Sequence, residues 1–304
     1  TLNMVDLAQR IAAQPPSRTL GAAFGFLMVG ISLKLALFPL HLWLPNAYTY
    51  APSMVSAFLA ATATKVAAYV MLRFLFSIFR IDTIIGIIPI DAMLLVLALI
   101  AMFAGSTVAI FQNNLKRMLA YSSLAQIGYI VLGISFTSAA GLTASILHLF
   151  NHAVMKGGMF LALGCIVYRI GSVHINDFAG IGRRMPWTTA AFITGGLSLI
   201  GVPLTVGFIS KWYLVLAAIE RGWWPVGLLI LASSLIAVVY VWRVAEVAYF
   251  KPVPDGAPEV EEAPSTMLIP TWILIGASVY FGLDTGLTVE VAQRAAAGLI
   301  GGGG

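Results

Sequence analysis

Charged residues are scarce in this chain of 304 amino acids. Asp, Glu, Lys and Arg together make up 10% of the sequence, whereas 60% of it is hydrophobic. Soluble domains carry roughly 25% charged residues. A chain with so few charges cannot cover its surface with polar groups in water, so the composition predicts an all-α integral membrane protein.

The chain also lacks the usual signatures of soluble chemistry. Its single cysteine, Cys165, excludes an intramolecular disulfide. There is no glycine-rich phosphate loop, no CxxC pair and no nucleophile beside a base. The net charge of +5 is divided among short clusters between apolar runs, which is typical of membrane topology. We therefore expect a lipid bilayer as surroundings, and no enzyme activity in the chain itself, no cofactor, no metal and no nucleic acid.

Long apolar runs dominate the sequence instead. A spanning helix needs ~20 mainly apolar residues, and eight segments satisfy this: 19–38, 53–79, 88–111, 117–137, 142–168, 187–219, 224–248 and 267–283. The fold class expected is a transmembrane helix bundle. Lys116–Arg117 and Arg183–Arg184 form compact basic clusters in short loops, which predicts that this side faces the cytoplasm.

Two of the eight segments contain helix-breaking residues near a lysine. Pro39 follows Lys34 in the first, and Gly201-Val202-Pro203 precedes Lys211 in the sixth. Proline removes a backbone donor and clashes with the preceding turn, so the freed carbonyls need protein, water or a cavity. Paired interruptions of this kind are typical of inverted-repeat transporters with a site near the midplane. Ordinary proline kinks are the alternative.

Lysines occur inside four of the apolar segments: Lys34, Lys65, Lys156 and Lys211. A charge at the bilayer centre costs about 2.5–3.5 kcal/mol even on insertion scales, so it is kept there only when it is paired or functional. Four such residues indicate a route for protons or cations.

Lys65 lies near the middle of its segment, where its amine cannot easily reach the headgroups. Burial favours the neutral amine, so a lysine here can load and release a proton near neutral pH. The alternative is a permanent ion pair. Asp91 and Glu246 lie near predicted helix ends, however, and leave no evident intramembrane acid.

The fifth segment holds the most specific pattern, His148, His152 and Lys156. Steps of four residues place them on one helix face, ~6 Å apart along the axis. Imidazole titrates near neutrality, so two histidines leading to a lysine predict a proton relay. Zinc shared by the two histidines is one alternative, although no HExxH glutamate or third ligand is evident. Packing histidines are the other.

The helix breaks change the environment of two lysines. A broken helix offers hydration and unpaired carbonyls to Lys34 and Lys211, although aromatic neighbours also allow Lys211 to be an interfacial anchor. On the fourth segment, Ser122, Ser123 and Gln126 either line a wet passage or make ordinary interhelical hydrogen bonds.

Several motifs resemble those of a known family: LK (33–34), PLHLWLP (39–45), APS (51–53), KVAAY (65–69), LKRMLAYSS (115–123) and the His148, His152, Lys156 set. In this order they resemble the proton-translocating antiporter-like family. That family includes the large membrane subunits of respiratory complex I, of membrane hydrogenases and of Mrp-type sodium/proton antiporters. The resemblance runs from about Gly21 to Phe250.

Three further stretches look most like the D-type large subunit of the Mrp antiporters: MPWTTAAF (185–192), FISKWY (208–213) and VYVWRVAEVAYF (239–250). The resemblance implies a multi-pass subunit of a bacterial inner-membrane Na⁺/proton antiporter, assembled with other subunits and moving protons along buried lysines and histidines. A proton-pumping subunit of complex I or a hydrogenase is the alternative. A membrane metalloenzyme using His148 and His152 is a third hypothesis.

The resemblance also implies a role for each site residue. Lys34 matches the lysine on the family's first broken helix, and Lys65 the central lysine on the next helix. The pair of histidines with Lys156 matches the relay of the second half-channel, and Lys211 the charged residue on the second broken helix. The family pairs the first of these lysines with a glutamate on an earlier helix that this sequence does not contain.

The expected division of the chain follows from the same resemblance. We expect an N-terminally truncated subunit that retains the end of the first inverted repeat and the whole second repeat. The predicted units are a loop or interfacial segment (1–18), the end of the first repeat (19–79), the second repeat (80–250), a polar loop (251–266) and a last spanning helix with its tail (267–304).

Overall fold

The computed structural model describes residues 3–15, 17–254, 256 and 259–301. In these ranges the chain is helical, with one isolated β-bridge between Asn114 and His174. The α-helices are α1 (Met4–Ala12), α2 (Arg18–Leu35), α3 (Trp43–Tyr50), α4 (Ser53–Leu72), α5 (Ile81–Ile85), α6 (Ile90–Ile110), α7 (Leu115–Ser135), α8 (Ala139–Ile170), α9 (Ile181–Arg184), α10 (Pro186–Ile200), α11 (Val206–Glu220), α12 (Trp224–Tyr249), α13 (Ser265–Leu283) and α14 (Gly286–Ile300). A π-helix, Arg73–Ile78, continues α4, and a short 3₁₀ turn, Ile175–Phe178, follows α8.

Seven helical spans of the described chain are long and apolar enough to cross a membrane: α2, α4 with its π-helical extension, α6, α7, α8, α12 and α13. They agree with seven of the eight predicted segments. The remaining one, 187–219, is divided into α10 and α11 of 15 residues each, so neither half alone is long enough to cross. The expected all-α bundle with two broken helices is confirmed.

The long helix α8 is the centre of the bundle. Its 32 residues correspond to ~48 Å of helix, and it packs against α4, α7, α10, α11, α13 and α14. The neighbouring α7 is buried along almost its whole length. Residues in the middle of α8 are therefore shielded on several sides by protein, which is where a charged side chain most needs partners.

The first helix break separates α2 from α3. After Leu35 the chain turns through Ala36, which has a left-handed φ of 62°, and the next helix begins at Trp43. The Trp43 indole donates to the Leu33 carbonyl at 2.8 Å, so one carbonyl freed by the break is satisfied. The peptide bond between Phe38 and Pro39 is cis.

The second helix break separates α10 from α11. Gly201 ends the first half with a φ of 93°, a conformation that favours glycine. Gly207, in the first turn of α11, lies so close to α10 that an added Cβ would be 1.7 Å from the Ser198 carbonyl oxygen. The two halves thus contact each other through backbone, and the last carbonyls of α10 are left free of helical partners.

Candidate functional site

The three residues predicted to share one face of α8 do so. The side chains of His148, His152 and Lys156 are all buried, with at most 1% of any of them exposed. The two imidazole rings are stacked, with 6.2 Å between centroids and 15° between planes. Helical spacing and burial together therefore produce a short row of titratable groups in the interior of the bundle.

His148 is held at both ring nitrogens. Its Nδ1 lies 2.8 Å from the Ser210 hydroxyl and its Nε2 lies 3.0 Å from the Gln126 side-chain oxygen. Because an amide oxygen only accepts, Nε2 carries the proton in the neutral ring, and Nδ1 then accepts from Ser210. Gln126 on α7 and Ser210 on α11 thus fix the tautomer of a histidine on α8.

His152 differs from its neighbour. Neither ring nitrogen has a hydrogen-bond partner among the described residues, although the side chain is fully buried. Buried polar groups are nearly always satisfied, so an orphaned imidazole requires an explanation. Both nitrogens are free to give or accept a proton, which suits a relay better than a packing histidine.

Lys156 ends the row on α8. Its amine donates to the Leu119 carbonyl at 2.9 Å and to the Ser122 hydroxyl, both on α7. None of the ion pairs formed between described residues includes it. A wholly buried amine held only by neutral acceptors can exist with or without its extra proton.

Lys65 approaches the same row from α4. It is 6% exposed, its amine donates to the Ala60 carbonyl of its own helix, and it interacts electrostatically with His148, His152 and Lys156. No ion pair between described residues includes Lys65. Asp91 lies 4.0 Å from Arg221 instead, and Glu246 is exposed.

Lys211 lies at the second helix break. Its amine donates to the carbonyls of Leu199 and Ile200, each at 2.9 Å, and lies 4.8 Å from the centroid of the Tyr129 ring. These carbonyls end α10, where the helix dipole favours a cation. With 5% of its surface exposed, Lys211 is not an interfacial anchor. It also interacts electrostatically with His148.

Lys34 differs from the other three lysines, because its side chain is exposed on the described chain. The buried face of α2 is formed by Phe24, Met28, Ile31 and Leu35, and Lys34 lies beside that face rather than on it. The sequence showed that this lysine is embedded in an apolar run, but not which way it points.

A buried lysine was missed. Lys116 was interpreted as part of a basic loop, yet it lies in the first turn of α7, is 6% exposed, and donates to the Ala51 carbonyl at 2.7 Å. Ala51 is the residue that follows α3, so this amine holds the end of the first broken helix. The LKRM motif that contains it was the available signal.

A second missed residue lies in the segment predicted as a polar loop. The Glu262 carboxylate accepts from the backbone N–H groups of Trp187 (2.7 Å) and Thr188 (3.2 Å) and from the Thr188 hydroxyl (2.6 Å). It caps the start of α10. Arg169, at the end of α8, donates to the backbone carbonyl of the same glutamate. One residue therefore connects the relay helix to the half-helix that presents Lys211.

Metal binding finds little support in this geometry. Across the part of the chain that the structure describes, no three His, Cys, Asp or Glu side chains are grouped to hold a metal ion. His148 already uses both of its nitrogens on Ser210 and Gln126. The arrangement favours proton exchange between side chains over a metal site.

Comparison with known proteins identifies the family to which the chain is related. A family model described as "NADH:quinone oxidoreductase/Mrp antiporter, TM" matches residues 1–237. NADH-quinone oxidoreductase subunit N of Desulforudis audaxviator (strain MP104C) is 42% identical over 295 residues, 93% of this chain and 58% of that protein. F(420)H(2) dehydrogenase subunit N of Methanosarcina mazei is 31% identical over 307 residues, 95% of this chain and 61% of that protein.

The fold is also found in a solved structure. A chain of the Mrp complex from Dietzia sp. DQ12-45-1b superimposes with a TM-score of 0.88 at 23% identity, covering 99% of this chain and 62% of the other. This chain spans about three fifths of the length of these proteins. Family model, sequence relatives and fold together confirm the expected resemblance: the chain belongs to the NADH:quinone oxidoreductase/Mrp antiporter transmembrane family.

Proposed function

We propose that this chain is the proton-conducting part of a subunit N-like module in a redox-driven membrane complex. The single observation that carries the proposal is the buried row formed by Lys65, Lys156, His152, His148 and Lys211, which has no acid paired to its amines among the described residues. Other subunits of a hetero-oligomeric assembly in a bacterial inner membrane would supply the electron transfer.

The choice of a redox-driven complex rests on the sequence relatives. The two relatives described above are subunits N of an NADH-quinone oxidoreductase, at 42% identity, and of an F(420)H(2) dehydrogenase, at 31% identity. The Mrp structure shares the fold at 23% identity, which does not distinguish the two kinds of complex. The Na⁺/proton antiporter interpretation made from the sequence is therefore the less favoured one, and Na⁺ is not part of the proposal.

Proton transfer can be followed along the row. Lys211 is adjacent to Ser210, whose hydroxyl faces His148 Nδ1. When Nδ1 accepts a proton, the ring can release the other proton from Nε2. Because the Gln126 amide oxygen does not take up a proton, the proton that leaves Nε2 would pass to a water molecule. The 6.2 Å between the rings of His148 and His152 is too long for a direct hydrogen bond and suits transfer through water.

Electrostatic repulsion opposes a positive charge on Lys65 and on its neighbours at the same time. Lys65 interacts with both His152 and Lys156, and like charges in a low-dielectric interior repel strongly. A proton that arrives on Lys65 therefore opposes a second proton on Lys156.

Lys34 has a different place in the proposal. It is exposed at the first break, so an acidic partner from outside the described residues fits its position, as the family resemblance implies. We propose it as the terminal residue of the row. The division of the chain into the end of one repeat and a whole second repeat stays a prediction.

The test uses inverted vesicles that contain the full-length subunit in its native complex. With a reduced electron donor, wild-type vesicles should acidify, and Lys65→Ala should abolish acidification while donor oxidation continues. Lys251→Ala, in the polar loop, is the matched control and should behave as wild type. Acidification driven by an imposed Na⁺ gradient without any donor would instead support the antiporter, and wild-type acidification by Lys65→Ala would overturn the role of the row.

A further inference from the structure

Two apolar grooves meet at the end of α4, away from the buried row. The first, of about 330 Å³, lies between α1 and the π-helix and is lined by Met4, Val5, Ala8, Arg73, Phe76 and Arg80. The second, of about 340 Å³, lies on the other side and is lined by Tyr69, Leu72, Leu149 and Leu299. Arg73 and Ser77 line both grooves.

The π-helical turn shapes this junction. The Phe79 amide donates to the Phe74 carbonyl, five residues back, at 2.9 Å. Such widened turns are rare and frequently occur at functional sites. Directly after it, Arg80 has a φ of 51°, a left-handed conformation that is costly for a non-glycine residue. The backbone here is shaped so that two arginines line the same groove.

Both arginines lack a counterion within the described chain. The guanidinium groups of Arg73 and Arg80 make no hydrogen bond or ion pair with another described residue. Asp6 on α1 pairs with Arg10 at 2.9 Å, and Asp82 is exposed and makes no ion pair with a described residue. Two unpaired guanidinium groups therefore flank a groove whose other walls are largely apolar.

The junction lies at a depth in the membrane where charged and apolar groups meet, which agrees with two guanidinium groups beside an apolar groove. The π-helix ends the span Ser53–Ile78, so Arg73 lies one to two turns inside the end of the span and Arg80 just beyond it. This is the depth at which lipid headgroups meet acyl chains. The small helix α1 covers the groove, yet it has no buried residue of its own and packs on the π-helix.

We propose that this junction binds one anionic phospholipid. Its phosphate would lie between the guanidinium groups of Arg73 and Arg80, which offer bidentate donors that match phosphate geometry, and the Ser77 hydroxyl is a further donor. The acyl chains would occupy the two grooves on either side. The lipid would thereby attach α1 to the helix bundle. Without the lipid, α1 is held only by its few contacts with the π-helix.

Native mass spectrometry of the full-length subunit tests this directly. The detergent-purified protein is stripped of lipid and titrated with phosphatidylglycerol or with phosphatidylcholine. We expect one tightly retained phosphatidylglycerol per subunit, and a loss of affinity of about tenfold or more for each of Arg73→Gln and Arg80→Gln, because each removes a charge-assisted bond. Arg18→Gln, an exposed arginine on the same side of the bundle, is the matched control and should bind as wild type.

A second variant distinguishes loss of the lipid site from misfolding of the subunit. Ala8→Phe fills the first groove without changing any charge, so it should also weaken retention while the subunit stays monodisperse. Equal retention of phosphatidylcholine, or full retention by the Arg73→Gln, Arg80→Gln double variant, would overturn the proposal. Displacement of the lipid by millimolar inorganic phosphate would show a free-anion site instead.

Discussion

Glu262 and Lys211 occupy opposite ends of the same half-helix. The glutamate carboxylate accepts the first backbone N–H groups of α10, and the lysine amine binds its last two carbonyls, ~22 Å apart along 15 residues. The negative charge lies at the positive end of the helix dipole and the positive charge at its negative end. The polar loop and Lys211 are thus connected through one short helix.

Removing the Glu262 carboxylate should loosen this half-helix. Loss of a helix cap costs about 0.5–2 kcal/mol, so we expect Glu262→Ala to lower the melting temperature and to speed hydrogen exchange at Trp187 and Thr188. Proton transport should fall along with it. Glu261→Ala is the matched control. The Glu261 side chain is 90% exposed, and its one ion pair, with Arg169, is long at 3.9 Å. Unchanged exchange at both amides would contradict the cap.

We expect transport to depend on proton transfer by the His148 imidazole and not on the packing of its side chain. His148→Gln keeps a side chain that can bond Ser210 and Gln126 but cannot accept and release a proton at two nitrogens. We expect donor-driven acidification of vesicles to fall by about two orders of magnitude, the usual size of a lost acid–base group, with a melting temperature near wild type. His174→Gln, on an exposed loop, should leave transport intact.

Lys211 should tolerate no neutral replacement. Lys211→Met removes the donor that satisfies the carbonyls of Leu199 and Ile200, which leaves two buried acceptors unpaired at a cost of about 1–3 kcal/mol each. Both stability and acidification should drop. Lys211→Arg keeps a donor but stays permanently charged, so it should recover stability without recovering transport. Transport by the arginine variant at the wild-type rate would show that this position need not release its proton.

The elements that follow from local chemistry could be predicted from the sequence. Proline and glycine favour an interruption where they occur together with other turn residues, so the breaks at Pro39 and Gly201 were predictable, whereas the isolated Pro270 lies inside α13. The helical period placed His148, His152 and Lys156 on one face before any tertiary contact was known.

What could not be predicted depends on packing between distant segments. Lys116 is buried because the residue after α3, 65 positions away, brings its carbonyl to the amine. Glu262 caps α10 from 74 positions beyond Thr188, and no local pattern shows that. The exposure of Lys34 depends on which side of α2 faces the bundle, which the nearly uniform apolar run leaves undetermined.

The close approach at the second break gives the sharpest test of the architecture. Gly207→Ala would place a methyl carbon 1.7 Å from the Ser198 carbonyl oxygen, and the neighbouring atom is backbone that cannot rotate away. We expect a loss of several kcal/mol, visible as aggregation in detergent size-exclusion chromatography. Gly276→Ala, in α13 with open space around it, should be neutral or stabilise by up to about 1 kcal/mol. If both variants elute as wild type, the two halves of the broken helix do not meet through backbone, and the carbonyls that hold Lys211 would have to be placed by another contact.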